Sequence, residues 1–170
     1  MSSFHLAGII PVAGKALDFN MPWHDSLMPI SENYLAVERS VVECAYAGCE
    51  TIWIVCNDDM QPLIKHRIGE YVQDPVWAFR SFEKFQSNAQ KRIPIYYVPI
   101  SAHDRGKRDS LGWAALHGMY ASRKVAKSLS KWITPDRYYV SFPYGVYDVE
   151  ILRDYRNKLS SHQPTFVSFQ

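Results

Sequence analysis

Ala13-Gly14-Lys15 follows directly on the apolar run Leu6 to Val12, so a cation and the amides of a glycine turn come at the end of a predicted strand. That combination suits a ligand-facing loop at the carboxyl edge of an open sheet. A solvated loop charge is the alternative for Lys15. The densest basic stretch, His103-Asp104-Arg105-Gly106-Lys107-Arg108-Asp109, leads into a helical pattern that opens near Gly112. Arg105, Lys107 and Arg108 in front of a helix N-terminus offer a phosphate site. With Asp104 and Asp109 among them, they read equally as a balanced surface loop. Asp148 and Glu150 form an acid-x-acid pair, and carboxylates of this kind hold Mg²⁺. Capping of the helix after it is the reading that comes first for Asp148. Asp58 and Asp59 divide the same way between helix capping and metal binding. Trp113 and His117 could line a base or sugar pocket; otherwise Trp113 packs in the core and His117 is a satisfied surface or half-buried residue.

Other chemistries are poorly served. The chain contains no G-x-S-x-G, no H-E-x-x-H and no complete G-x-x-x-x-G-K-[ST], so hydrolase elbow, zinc protease and P-loop are set aside. Cys44, Cys49 and Cys56 are odd in number and make no Cys-x-x-Cys, which points to reduced, partly buried thiols. With 19 Lys+Arg against 17 Asp+Glu, the net charge of +2 gives no reason to expect nucleic-acid binding. The first residues lack a secretory pattern, and no apolar run approaches the roughly 20 residues of a membrane span. A cytoplasmic protein is expected. Aromatic residues make up 14% of the chain, which favours a stacking surface, a protein partner or a homo-oligomer interface.

The elements that must carry these residues alternate. Strands are predicted at Leu6–Val12, Thr51–Cys56, Ile93–Ile100, Tyr138–Phe142 and Thr165–Phe169. Pro94 and Pro99 confine the hydrogen bonding of the third to an edge or to its ends. Helices are predicted from Ser31 or Asn33 to Ala47 with Gly48 as C-terminal cap, and from Asp58 or Asp59 through Pro62 with Leu63, Ile64, Ile68 and Val72 inward. A short helix is expected between Trp77 and Gln90. Leu111, Ala115, Gly118, Ser122 and Val125 mark the inner face of the next, and Asp148 opens the last. No repeat or linker interrupts residues 1–170, so one domain is expected, an α/β protein built as a three-layer α/β/α sandwich on a mostly parallel sheet.

The order of these motifs resembles the nucleotidyltransferase family that joins nucleoside triphosphates to sugar phosphates. Pro11-Val12-Ala13-Gly14-Lys15-Ala16-Leu17-Asp18 is similar to its Gly-rich loop, and His24-Asp25-Ser26-Leu27-Met28-Pro29-Ile30 to its P-K-x-L-x-P-I. Ala47-Gly48-Cys49-Glu50-Thr51-Ile52-Trp53-Ile54-Val55 looks like A-G-x-x-x-I-x-I-V, and Asp109 to Leu116 looks like G-T-x-x-A-L. The resemblance implies a Rossmann-like glycosyltransferase-A-type fold. It also implies nucleotide contacts at Ala13, Gly14, Lys15 and Gly112, Mg²⁺ as cofactor, and transfer of a nucleotidyl group with release of pyrophosphate. Family members usually continue past the fifth strand. Asp18 stands in the loop where the family has its Gly-Thr-Arg, Asp25 where it has a phosphate-binding Lys, and Tyr144 where it has a metal-binding Asp. These three positions raise the alternative of a catalytically inactive member with a binding, regulatory or assembly role.

Overall fold

The computed structural model describes residues 4–14, 21–80, 91–107, 110–129 and 134–161. Its centre is β1 (Leu6–Pro11), in which every residue is buried. β4 (Thr51–Asn57) pairs parallel to β1 on one side and β7 (Arg137–Val140) pairs parallel to it on the other. β6 (Arg92–Ile100) continues the sheet parallel to β4, and β5 (Tyr71–Gln73) closes it antiparallel to β6. The order is β5-β6-β4-β1-β7, a mixed but mostly parallel five-stranded sheet in an α/β chain. Thr51 to Cys56 are all buried, as the continuous β-branched and apolar run requires of a strand with neighbours on both edges.

Side chains alternate along these strands. Ile10, Val12, Ile52 and Ile54 share one cluster with Val37, Val41, Cys44 and Ala45 of α1 (Ala36–Ala47). Ala7, Ile9, Trp53 and Val55 share the other with Ala114 of α5 (Leu111–Leu129). Two glycines set how closely the helices approach. A Cβ on Gly8 would lie 2.8 Å from Cys44 Sγ, and one on Gly118 only 2.6 Å from Val55 Cγ2 and 2.9 Å from Ile9 Cγ2. All three cysteines are buried and free. Burial pushes the Cys56 thiol up to about 12, with help from the charge of Asp59.

Several boundaries move. α1 begins at Ala36 rather than near Asn33, because Pro29–Ser31 (β2) and Tyr34–Leu35 (β3) pair as a small antiparallel ribbon, with Asn33 at φ 56° between them. Glu38 Oε2 accepts from the Leu35 backbone N–H at 2.7 Å and closes the first turn of α1. Gly48, at φ 92° and ψ 22°, ends it as expected. In α2 (Gln61–Ile68), Ile64 is buried but Leu63 is exposed, and Val72 belongs to β5. On α5, Ala114, Ala115, Gly118, Ser122 and Ala126 face inward while Val125 is exposed. β7 stops at Val140, and Phe142 is exposed. The expected strand at 165–169 and most of the helix between 77 and 90 lie outside the described residues.

The two prolines of β6 fall where a missing N–H costs little. Successive N–H groups point to opposite edges of a strand, and Ile95 N donates to Glu70 O on the β5 side. Pro94 therefore turns its nitrogen toward β4, one residue before that ladder begins at Ile52↔Ile95. Pro99 turns its nitrogen toward β5, which pairs only with Arg92 to Pro94.

Asp74 holds the far end together. It accepts from Val76 N and Trp77 N at the start of α3 (Pro75–Arg80) and takes Arg156 of α6 (Leu152–Leu159) through both oxygens, at 2.8 and 2.5 Å. Burial acts to raise its carboxyl, but the hydrogen bonds and charge of Arg156, then Trp77 N and Lys91, outweigh it and leave the pKa below its usual 3.8. A group held lower in the folded state stabilises above its unfolded pKa and loses that contribution as pH falls through the folded value. Asp74→Asn is accordingly expected to cost ~2 kcal/mol at pH 7, and urea unfolding across the acid range should show the gap to wild type closing below the ordinary aspartate pKa.

Candidate functional site at the carboxyl edge of the sheet

The four parallel strands release their loops at one edge. β1 ends in Ala13-Gly14, β4 in Asp58-Asp59, β6 leads into α4 (Ala102–Arg105), and β7 into Ser141 to Asp148. The chain adds β4 and β6 on one side of β1 and then crosses to place β7 on the other. Open α/β sheets bind ligands outside the carboxyl ends at such a reversal, here between β1 and β7. Ala13 is buried at this point, and Gly14 turns the chain at φ 122°, a conformation that favours glycine. Lys15, Asp18 and Arg108 lie outside the described residues.

Asp25 belongs to a short 3₁₀ turn, Asp25–Leu27, and is 2% exposed. The Tyr144 hydroxyl is raised first by burial and then by the charge of Asp25. His24 caps the turn, with Nδ1 accepting from Ser26 N at 3.3 Å, so the neutral ring carries its proton on Nε2.

A buried polar cluster, overlooked in the sequence, supports the β7 side. Arg39 of α1 is 3% exposed; its Nη2 lies 2.8 Å from Glu43 Oε2 and donates to Phe142 O at 3.1 Å. Glu43 also accepts from Tyr139 OH at 2.7 Å and Ser141 Oγ at 2.8 Å. The Arg39 guanidinium sits 4.8 Å from the centre of the Tyr147 ring. Burial and then Glu43 push the Tyr139 hydroxyl far up, and burial with the hydrogen bond to Glu43 pushes Tyr147 to about 12. Both phenols stay protonated and donate. The spacing of Arg39 and Glu43 on one helix was the available signal, but an (i, i+4) pair ordinarily marks a solvent face.

In the basic segment after β6, two cations have partners within the chain. Arg105 is clasped by Asp58 and Asp59, donating to Asp59 Oδ2 at 3.0 Å, with Asp58 as its second partner. Neither acid caps α2; its cap residue is Met60, with no side-chain hydrogen bond. Lys107 Nζ lies 3.4 Å from His103 Nε2. Gly112 falls in the first turn of α5 with open space around it. Arg105 and Lys107 follow β6, two strands from β1, whereas Ala114, in the same part of α5 as Gly112, shares a buried cluster with Ala13. Asp148 caps a 3₁₀ turn, Val149–Ile151, by accepting from Glu150 N at 2.9 Å, while Glu150 accepts from Tyr46 OH at 3.4 Å. Trp113 and His117 lie on the outer side of α5, away from the core that Trp113 was expected to join.

Among the described residues no three His, Cys, Asp or Glu side chains gather closely enough to hold a metal ion, and no helix is long and apolar enough to cross a membrane. Fold and crevice define an α/β protein with an open, mostly parallel sheet and a reversal of strand order beside its first strand. No protein-family model matches the chain, and no curated protein matches it.

Proposed function

We propose that this chain is a divergent nucleotidyltransferase-like domain, a three-layer α/β/α sandwich, that works as a binding or assembly module rather than as a transferase. The observation that carries the proposal is the charge at the carboxyl edge. Asp25 and Tyr144 stand at the positions where the resemblance puts a phosphate-binding Lys and a metal-binding Asp, and Arg105 is already neutralised by Asp58 and Asp59. In-line attack on a triphosphate requires cations at the leaving pyrophosphate, and an aspartate at position 25 supplies none. Three free thiols suit a reducing compartment such as the cytoplasm.

Transfer of a nucleotidyl group from a nucleoside triphosphate to a sugar phosphate, with Mg²⁺ at Asp148, is the second reading. It is favoured by the reversal of strand order beside β1 and the positive φ of Gly14. Calorimetric titration with each common nucleoside triphosphate and Mg²⁺, followed by a pyrophosphate-release assay over sugar phosphates, separates the two. The expected result is no binding tighter than about 1 mM, some 4 kcal/mol, and no pyrophosphate. Tighter binding that disappears in Lys15→Ala, with turnover, would establish the transferase; loss in Arg105→Ala instead would move the phosphate site to the loop after β6.

A further inference from the structure

Helix α5 carries an unusual division of side chains. Its inner face is made of small residues, Ala114, Ala115, Gly118, Ser122 and Ala126, and its bulk is turned outward. Leu116 is 59% and Tyr120 67% exposed, and with Trp113 and His117 they line a groove of about 430 Å³. Arg123, Lys124 and Lys127 are also exposed. At ~100° per residue, all seven fall within an arc of about 120°, opposite the inner face. They form one seam about 21 Å long, apolar in its first half and cationic in its second.

The helix dipole accounts for cations near a C-terminus but not for their sharing the direction of the aromatic residues. None of the three forms an ion pair among the described residues, and residues 111–129 contain no Asp or Glu. A second copy of α5 laid along the seam would bring no carboxylate to them. A lipid surface calls for apolar residues along the whole length with cations at the flanks, whereas here the two classes are separated end to end.

We propose that this seam docks an amphipathic helix of a protein partner, running antiparallel to α5, with carboxylates in its N-terminal half and apolar anchors in its C-terminal half. In that orientation the partner's acids lie at the positive end of its own dipole and against Arg123, Lys124 and Lys127, while its anchors enter the groove beside Trp113, Leu116 and Tyr120. The inference rests on the binding-module reading and names the partner's chemistry.

The probe is a synthetic capped 21-residue helix, with Glu then Leu along one face, and a control with Lys in place of Glu. Titrated into the whole chain, the acidic peptide is expected to bind in the micromolar range and to weaken as salt rises from ~0.05 to ~0.5 M. Binding should fall at least about tenfold in Leu116→Glu and in Lys124→Glu/Lys127→Glu, and the latter should gain affinity for the Lys peptide. The substituted side chains are exposed, and circular dichroism checks that each variant is folded. Failure of the acidic peptide to bind, or equal binding of both peptides, overturns the proposal. So does sedimentation showing a dimer that Leu116→Glu dissolves, or association with anionic vesicles lost in the same variants. Triphosphate binding with turnover would instead remove the underlying reading, whatever the peptide does.

Discussion

Arg39→Met is expected to lower folding stability by ~3–5 kcal/mol, because it removes one half of a buried ion pair and leaves the other half charged. The Glu43 carboxylate would remain inside with Tyr139, Ser141 and Tyr147 but without its counter-ion. The Phe142 carbonyl would lose its donor. Removing both charges in Arg39→Met/Glu43→Leu is expected to cost less than the sum of the single changes by at least ~1 kcal/mol, since each single variant strands a charge that the double variant does not. Urea unfolding of the four proteins, with slopes compared to confirm a common unfolded state, measures the coupling. Additive losses would mean that the pair contributes nothing beyond its packing. The same variants report on the crevice: Arg39 binds the carbonyl of the residue before Pro143-Tyr144, so its loss should also change the near-ultraviolet signal of the tyrosines there.

Gly118→Ala is expected to destabilise the protein by ~2 kcal/mol, although alanine gains up to ~1 kcal/mol over glycine in a helix interior. An added methyl would sit 2.6 Å from Val55 Cγ2 and 2.9 Å from Ile9 Cγ2, both on fully buried side chains of the two central strands. Neither neighbour is the free end of a flexible chain, so α5 must move off the sheet, and overpacking of this kind costs 1–3 kcal/mol. Thermal unfolding checks it. A Gly118→Ala variant as stable as wild type would show that α5 rides farther from β1 and β4 than its small inner face indicates.

Much of the fold was legible beforehand because burial writes itself into residue type. Thr51 to Cys56 suits a strand covered on both faces, Gly48 suits the end of a helix, and Leu6 to Pro11 suits a buried strand. The prolines of β6 were legible too: Pro94 N falls just before the β4 ladder, and Pro99 N faces the edge that β5 does not reach. What misled were short-range cues with more than one use. Ser31 and Asn33 have cap chemistry but lie in a ribbon that pairs before α1 begins. Asp58 and Asp59 also have cap chemistry, yet Arg105, 46 residues beyond Asp59, claims them both. Val125 fits helical spacing, but the helix rotates to put Ala126 inward, since only a small side chain fits where Gly118 has brought α5 close.

The chemistry divides in the same way. The strand, the Gly14 turn and the identities of residues 25 and 144 are properties of the sequence, because they depend on which residue follows which. That Arg105 is already paired and that Arg39 and Glu43 are core residues depend on contacts spanning 46 to 103 positions. Such contacts are decided by strand order, and strand order is a property of the folded sheet: nothing local to β7 states that it lies beside β1.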